Sequence, residues 1–330
     1  MNWFTLLWVG KDLLISAWKQ NKFNKSYLNK VLNDIVKKTN YNFSNKEAKK
    51  VFYYYPIFTI MACAEMYLAL KGRGLTIAER KRLSIVCVMA TLFDDLIDEE
   101  KWNDEMLLDL LHEKLSFHSV SSKAQLIYLL NNILKTIWVR TEKFNNALQQ
   151  AIFWQIQSQK QLNEKISLQE IENICRKKNG YTSLMFAYTL DENWNEPELD
   201  FIFQSAMVGQ LVNDVFDVYK DSQDGIYSMI LQSPNIKMAE VFFINECKKL
   251  HQSVLKTSSH IKSKNYCINR MSCLHGFALV AFNHLQNTEN KYGKPIPWKR
   301  ALRKELVTDL EWWSHRFKLP IKIMWLSKQR

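Results

Sequence analysis

The pattern of apolar and polar positions reads as helix after helix, each opened by a capping signal and closed by a cluster of turn-forming residues. Four starts fit a capping box, in which a hydroxyl and an acid or amide three residues on satisfy each other's backbone amides: Ser44 to Glu47, Thr76 to Glu79, Ser122 to Gln125 and Ser167 to Glu170. Breaks are predicted near residues 39–44, 71–74 ("KGRG"), 117–121, 191–198, 222–225 ("SQDG"), 232–235 ("QSPN") and 291–297 ("KYGKPIP"). These leave roughly ten helices, with no repeat, low-complexity run or long linker, and a single all-α domain over 1–330 is the simplest organisation.

Composition supports the helical pattern. Hydrophobic residues make up 47% of the 330, whereas Gly (8) and Pro (6) are too scarce for a turn-rich β architecture. No segment reaches the roughly 18 to 20 uninterrupted apolar residues of a membrane span. The short apolar run at the N-terminus has no basic residues before it and is cut by Lys11 and Asp12, so no signal peptide is expected. The six cysteines lack metal-ligand spacing and read as buried thiols of a cytoplasmic protein. The net charge of +12 fits an anionic small substrate, an anionic membrane surface or nucleic acid. Lys and Arg are dispersed and no nucleic-acid-binding motif is found, so nucleic acid is not expected; the C-terminal "RFKLPIKIMWLSKQR" suits weak membrane contact, with a solvated terminus as the plainer reading.

Against that positive balance, "SIVCVMATLF" (84–93) runs directly into Asp94, Asp95, Asp98, Glu99 and Glu100. On a helix Asp94 and Asp98 lie one turn apart on one face, with Asp95 rotated by about 100°. Carboxylates crowded at the end of a buried helix repel one another and call for a compensating cation, and all-oxygen ligation points to Mg²⁺. The plainer alternative is a solvated helix end. A second stripe follows in "VGQLVNDVFDVYKD" (208–221), where Asn213, Asp217 and Asp221 recur every fourth residue on an otherwise apolar helix. Asp214 falls on a neighbouring face. Two such stripes suggest metal ions on opposing walls of a cavity. A third feature, Arg176, Lys177 and Lys178 before Asn179 and Gly180, predicts a helix break beside cations suited to a diphosphate, although basic runs are commonly solvated faces.

Taken together, these residues resemble the class I terpene synthases of the isoprenoid synthase superfamily, in their bacterial form. "FDDLIDE" resembles the aspartate-rich DDxxD motif, and "NDVFDVYKD" is similar to the second metal motif, NDxxSxxxE, with Asp217 in place of Ser or Thr and Asp221 in place of Glu. The resemblance implies a helical bundle with a central cavity, its motif-bearing core over about residues 45–317. It further implies three Mg²⁺ ions, held by Asp94, Asp95 and Asp98 and by Asn213, Asp217 and Asp221. Arg176, Asn179 and Gly180 match the family's diphosphate sensor, linker and effector, at an unexpectedly short distance from Asn213. Lys220 matches the lysine before the last acid, and "EWWSHRF" resembles the closing Arg-Tyr pair, with Arg316 in place and Phe317 for Tyr.

The implied reaction is that of a carbon–oxygen lyase. A linear prenyl diphosphate, farnesyl or geranylgeranyl, loses its diphosphate to Mg²⁺ with Arg176, Lys220 and Arg316, and the carbocation closes to a terpene in a cavity that excludes water. Phe58, Phe93, Phe186, Trp312 and Trp313 are candidate cavity rings, although plain core is the more ordinary reading of any one of them. One alternative is an isoprenyl diphosphate synthase or a squalene/phytoene-type prenyltransferase. The first needs a second aspartate-rich motif and a Gly-Lys-Arg segment that are not found, and the second usually has Arg where Phe216 stands. The other alternative is a non-catalytic membrane-surface or scaffold protein. A homodimer is implied by family analogy alone.

Overall fold

The computed structural model describes residues 1–292, 296–308 and 313–329, with side chains of the last helix described from residue 317. Among the described residues every regular element is helical. The longer helices are α1 (Trp3–Phe23), α2 (Asn29–Thr39), α3 (Ile77–Asp98), α4 (Ser122–Ile137), α5 (Glu142–Gln157), α6 (Leu168–Ala187), α7 (Glu196–Asp224), α8 (Ile236–Lys256), α9 (Ile261–Tyr292) and α10 (Trp313–Leu326). The chain divides into two compact units, one of residues 11–156 with 181–193, the other of residues 1–10, 157–180 and 194–330. The division falls inside α1 and inside α6.

In the unit of residues 11–156 and 181–193, α3 carries the apolar run. Leu83, Ile85, Cys87, Val88, Leu92 and Leu96 are wholly buried on it. Its start is the expected one: Thr76 accepts from the Glu79 amide while the Glu79 carboxylate accepts from the Thr76 amide. Glu79 also anchors Arg73, at 2.7 and 3.0 Å, and the Asp191 amide at 2.8 Å. The start of α4 differs by one residue. Ser121, in extended conformation, accepts from the Ala124 amide, and Gln125 turns back to the Val120 carbonyl instead of closing a box with Ser122. An unforeseen break follows α4: Trp138 and Val139 are poor helix formers, Trp138 is extended, and Thr141 caps α5 through the Phe144 amide. Wide π-helical turns at Asn24–Leu28, Lys50–Tyr54 and Ile60–Ala64 were also not legible. Buried Asn24 bridges two of these segments by donating to the Phe52 carbonyl at 2.9 Å.

In the other unit α7 packs on α8 and α9, and α9 packs on α8 and α10. An Asn195–Glu198 capping box with Pro197 in the first turn starts α7. Gly225 ends it at φ +69°, a left-handed conformation that favours glycine. Two other glycines act through close packing. A Cβ on Gly276 would meet Ile323 at 2.5 Å, and one on Gly180 would overlap the Phe203 ring.

The Gly180 contact explains a departure from expectation: α6 runs unbroken from Leu168 to Ala187. Asn179 keeps the turn by donating its side-chain amide to the Cys175 carbonyl at 2.8 Å, and Gly180 is needed for space rather than for a break. All six cysteines are free thiols, five buried and Cys63 half-buried.

Candidate functional site

The acids at the end of α3 belong to the unit of residues 11–156. Asp95 is buried, Asp94 half-buried, and Asp98, Glu99 and Glu100 are exposed. Lysines supply cations to part of this cluster. Lys50 Nζ lies 3.0 Å from Asp95, and Lys123 Nζ lies 2.5 Å from Glu99, 3.5 Å from Glu47 and 3.8 Å from Asp95. Lys123 is itself buried, so without these carboxylates it would be an unpaired buried charge. The predicted metal ligand Asp95 is therefore already neutralised by the fold. Asp94 and Asp98 lie on the adjoining face of the helix.

Glu47 shows the strength of this network. Burial pushes its carboxyl up, but hydrogen bonds from Tyr41, the Ser44 hydroxyl and the Ser44 amide, with the Lys123 charge, outweigh that and bring it down to about 2.

The second stripe lies on α7 in the other unit. Asn213 is exposed, Asp217 half-buried and Asp221 buried, so the three descend along the helix from solvent toward its C-terminal end. Asn213 donates to Asp217 Oδ2 at 3.2 Å, which puts two ligand side chains together and leaves the Asn213 amide oxygen as the atom whose lone pairs could meet a metal. Burial, reinforced by the charges of Asp214 and Asp217, pushes the Asp221 carboxyl up to about 7. Asp214, buried alongside, is likewise pushed to about 7, chiefly by burial. Its Oδ1 accepts from Gln210 at 2.6 Å, while its buried Oδ2 has no partner within hydrogen-bond geometry among the described residues. An amide and two carboxylates are hard oxygen donors, and a divalent cation would offset the repulsion that raises these acids; the set fits Mg²⁺. Among the described residues no group of three or more His, Cys, Asp and Glu forms a ready metal cluster, and this stripe counts only two acids.

Asp221 also lines a pocket of about 330 Å³. Its other walls are the turn after α7, with Ile226 and Tyr227, Leu231, and the segment Pro297, Trp298, Lys299 and Arg300. Both turns are pinned by backbone. Tyr227 and Gln161 exchange hydrogen bonds at 2.7 and 3.2 Å, and the Arg300 and Ala301 amides donate to the Pro297 carbonyl at 2.8 and 2.9 Å. The result is a carboxylate and two cations around rings and aliphatic carbon. This volume is at the small end of ligand pockets.

The remaining predicted residues are placed as follows. Arg176 bonds Glu172 at 2.8 Å, Gln204 at 3.1 Å and the buried Glu246 at 3.1 Å, so it reaches none of the α7 stripe. Lys220 is exposed and lies 3.4 Å from Asp224. Phe93 and Phe186 are buried, and Phe93 borders an apolar crevice of about 10 Å³, which has room for no more than a water. Phe58 is not enclosed: it is 43% exposed and stacks on Tyr54. Phe317 is exposed. Trp312 lies outside the described residues, as do the side chains of Trp313 and Arg316.

Lys299, Arg300, Trp298 and Tyr227 are the pocket residues that sequence reasoning missed. Trp298, Lys299 and Arg300 directly follow the predicted break at 291–297 ("KYGKPIP"), and Tyr227 lies just after the one at 222–225 ("SQDG").

Comparison of the chain with family models, with curated proteins and with solved structures gives no match.

Proposed function

We propose that the protein is a Mg²⁺-dependent terpene synthase that ionises a linear prenyl diphosphate and cyclises the resulting carbocation. The observation that carries this reading is the position of Asp221, the last oxygen ligand of the α7 stripe, in the wall of the pocket that Lys299 and Arg300 also line. Oxygen ligands for a hard cation and side chains that attract an anion thus share one site, as the binding of a metal diphosphate requires.

When bound, Mg²⁺ supplies the charge that stabilises a departing diphosphate. The chain's own residues do the rest. Asn213, Asp217 and Asp221 present the oxygens. Lys299 and Arg300 hold the anion and favour its loss by opposing the negative charge that grows as the C–O bond breaks. Tyr227 and Trp298 offer ring faces to positive charge and, with Ile226, Leu231 and Pro297, limit water. Arg176, tied to two carboxylates, acts in this scheme by holding α6 to Glu246 on α8, with no direct hold on the diphosphate.

Calorimetric titration with inorganic diphosphate tests the reading. Binding should require Mg²⁺, disappear in Asn213→Ala, and weaken roughly tenfold or more in Lys299→Ala or Arg300→Ala, the loss expected for one charge-assisted hydrogen bond. Binding that ignores both Mg²⁺ and these substitutions would remove its basis. A second reading, a non-catalytic helical scaffold, is favoured by one observation: Lys50 and Lys123 already neutralise Asp95 and Glu99. It predicts no Mg²⁺-dependent diphosphate binding.

A further inference from the structure

Helix α1 buries one face through Leu6, Val9, Ser16 and Gln20. Its opposite face is unusual. The exposed positions are Trp3, Phe4, Leu7, Trp8, Leu14, Ile15 and Trp18, joined by three lysines, Lys11, Lys19 and Lys22. At 100° per residue all of these fall within an arc of about 160°, and the stripe runs roughly 29 Å along the helix. Phe4 is 85%, Leu14 73% and Leu7 68% exposed. The one acid of the helix, Asp12, is half-buried at the margin of the arc.

Single exposed apolar residues are ordinary, but a continuous row with three tryptophans marks a surface that is covered in use. The charge pattern selects what covers it. Lysines lie within the apolar arc with no acid among the described residues pairing them, and Lys22 Nζ sits 5.6 Å from the centre of the Trp18 ring. In a symmetric pair of chains meeting through α1, the same lysines would face one another across an apolar seam. An anionic lipid surface relieves that conflict: rings and aliphatic side chains enter the headgroup boundary while lysine stems extend their amines to phosphate. No helix among the described residues is long and apolar enough to cross a membrane, so α1 would lie in the interface plane.

We propose that the exposed face of α1, from Trp3 to Lys22, docks the protein onto an anionic lipid bilayer. The inference stands on this helix alone and is independent of the reaction proposed above.

Flotation of the full chain with lipid vesicles, with tryptophan emission recorded in parallel, tests it. Vesicles containing phosphatidylglycerol should carry the protein at least roughly tenfold better than pure phosphatidylcholine, since three lysines near an anionic surface account for more than that. The emission should shift to the blue, and high salt should weaken the binding. Replacing Phe4, Leu7 and Leu14 by Gln should abolish flotation. These side chains are solvated, so the fold should persist, with unchanged circular dichroism as the control. Replacing Lys11, Lys19 and Lys22 by Gln should remove the preference for anionic lipid. Wild-type protein that stays with the buffer, or apolar-face variants that float as well as wild type, would overturn the proposal. So would a dimer in vesicle-free sedimentation that the Phe4, Leu7 and Leu14 substitutions dissolve, because the face would then belong to a second copy of the chain.

Discussion

Replacing Asp221 by Asn removes one of two buried acids whose protonated form the fold favours. Asp214 and Asp221 are both raised from 3.8 to about 7. Below about pH 4 the folded and unfolded chains both carry these protons, and neither acid disfavours the fold. Between pH 4 and 7 the unfolded chain releases them while the folded chain keeps them, so stability falls with rising pH. Above about pH 7 both states are ionised and the loss levels off. A shift of roughly three units corresponds to about 4 kcal/mol for an isolated acid. Because part of the Asp221 shift comes from the charges of Asp214 and Asp217, the penalty is shared, and Asp221→Asn should recover about 2 kcal/mol near pH 8. Urea unfolding in chelator-treated buffer, followed by far-UV circular dichroism from pH 4 to 8, measures this. Wild type should lose stability across the window and the variant should lose roughly half as much. Added Mg²⁺ should restore the wild type and leave the variant nearly unchanged. Stability that is flat or rising over pH 4 to 7 in the wild type would refute the reasoning.

Glu79 should behave in the opposite sense. Burial pushes its carboxyl up, but hydrogen bonds from Arg73, Thr76 and the Asp191 amide outweigh this and hold it at about 2, so its contribution is present above about pH 4.5 and lost as pH falls toward 2. Glu79→Gln should lower stability by about 2–3 kcal/mol at neutral pH and flatten acid unfolding, as chemical denaturation at several pH values would show. Gly180→Ala forces a Cβ against the Phe203 ring and should cost about 1–3 kcal/mol in urea unfolding, partly rescued by Phe203→Leu. Lys123→Met leaves Asp95 with Lys50 as its remaining lysine, and should lower the thermal midpoint while increasing Mg²⁺ protection of the cluster, measured by calorimetry with and without the ion.

What could be read along the chain was local. The Ser44 and Thr76 capping boxes, the Ser167 cap and the Gly225 stop are determined by residues three or four apart, and each stands where the pattern placed it. The Asn195–Glu198 box is just as local and was passed over inside a segment read only as a break. Other features depend on distant partners. The spare room at Gly180 is set by Phe203, the charge of Asp95 by Lys50 and Lys123, and the wall opposite Asp221 by a turn almost 80 residues later. The periodicity of an acid on a helix gives its face; it does not reveal whether a lysine or a metal meets it.

Incubation of the purified protein with Mg²⁺ and prenyl diphosphates of ten to twenty-five carbons, followed by mass spectrometry, tests the central claim most directly. A terpene hydrocarbon or alcohol should form from a single substrate with release of diphosphate, require Mg²⁺, and disappear in Asn213→Ala. Longer diphosphates formed only when isopentenyl diphosphate is added, or no turnover of any substrate with Mg²⁺ present, would contradict it.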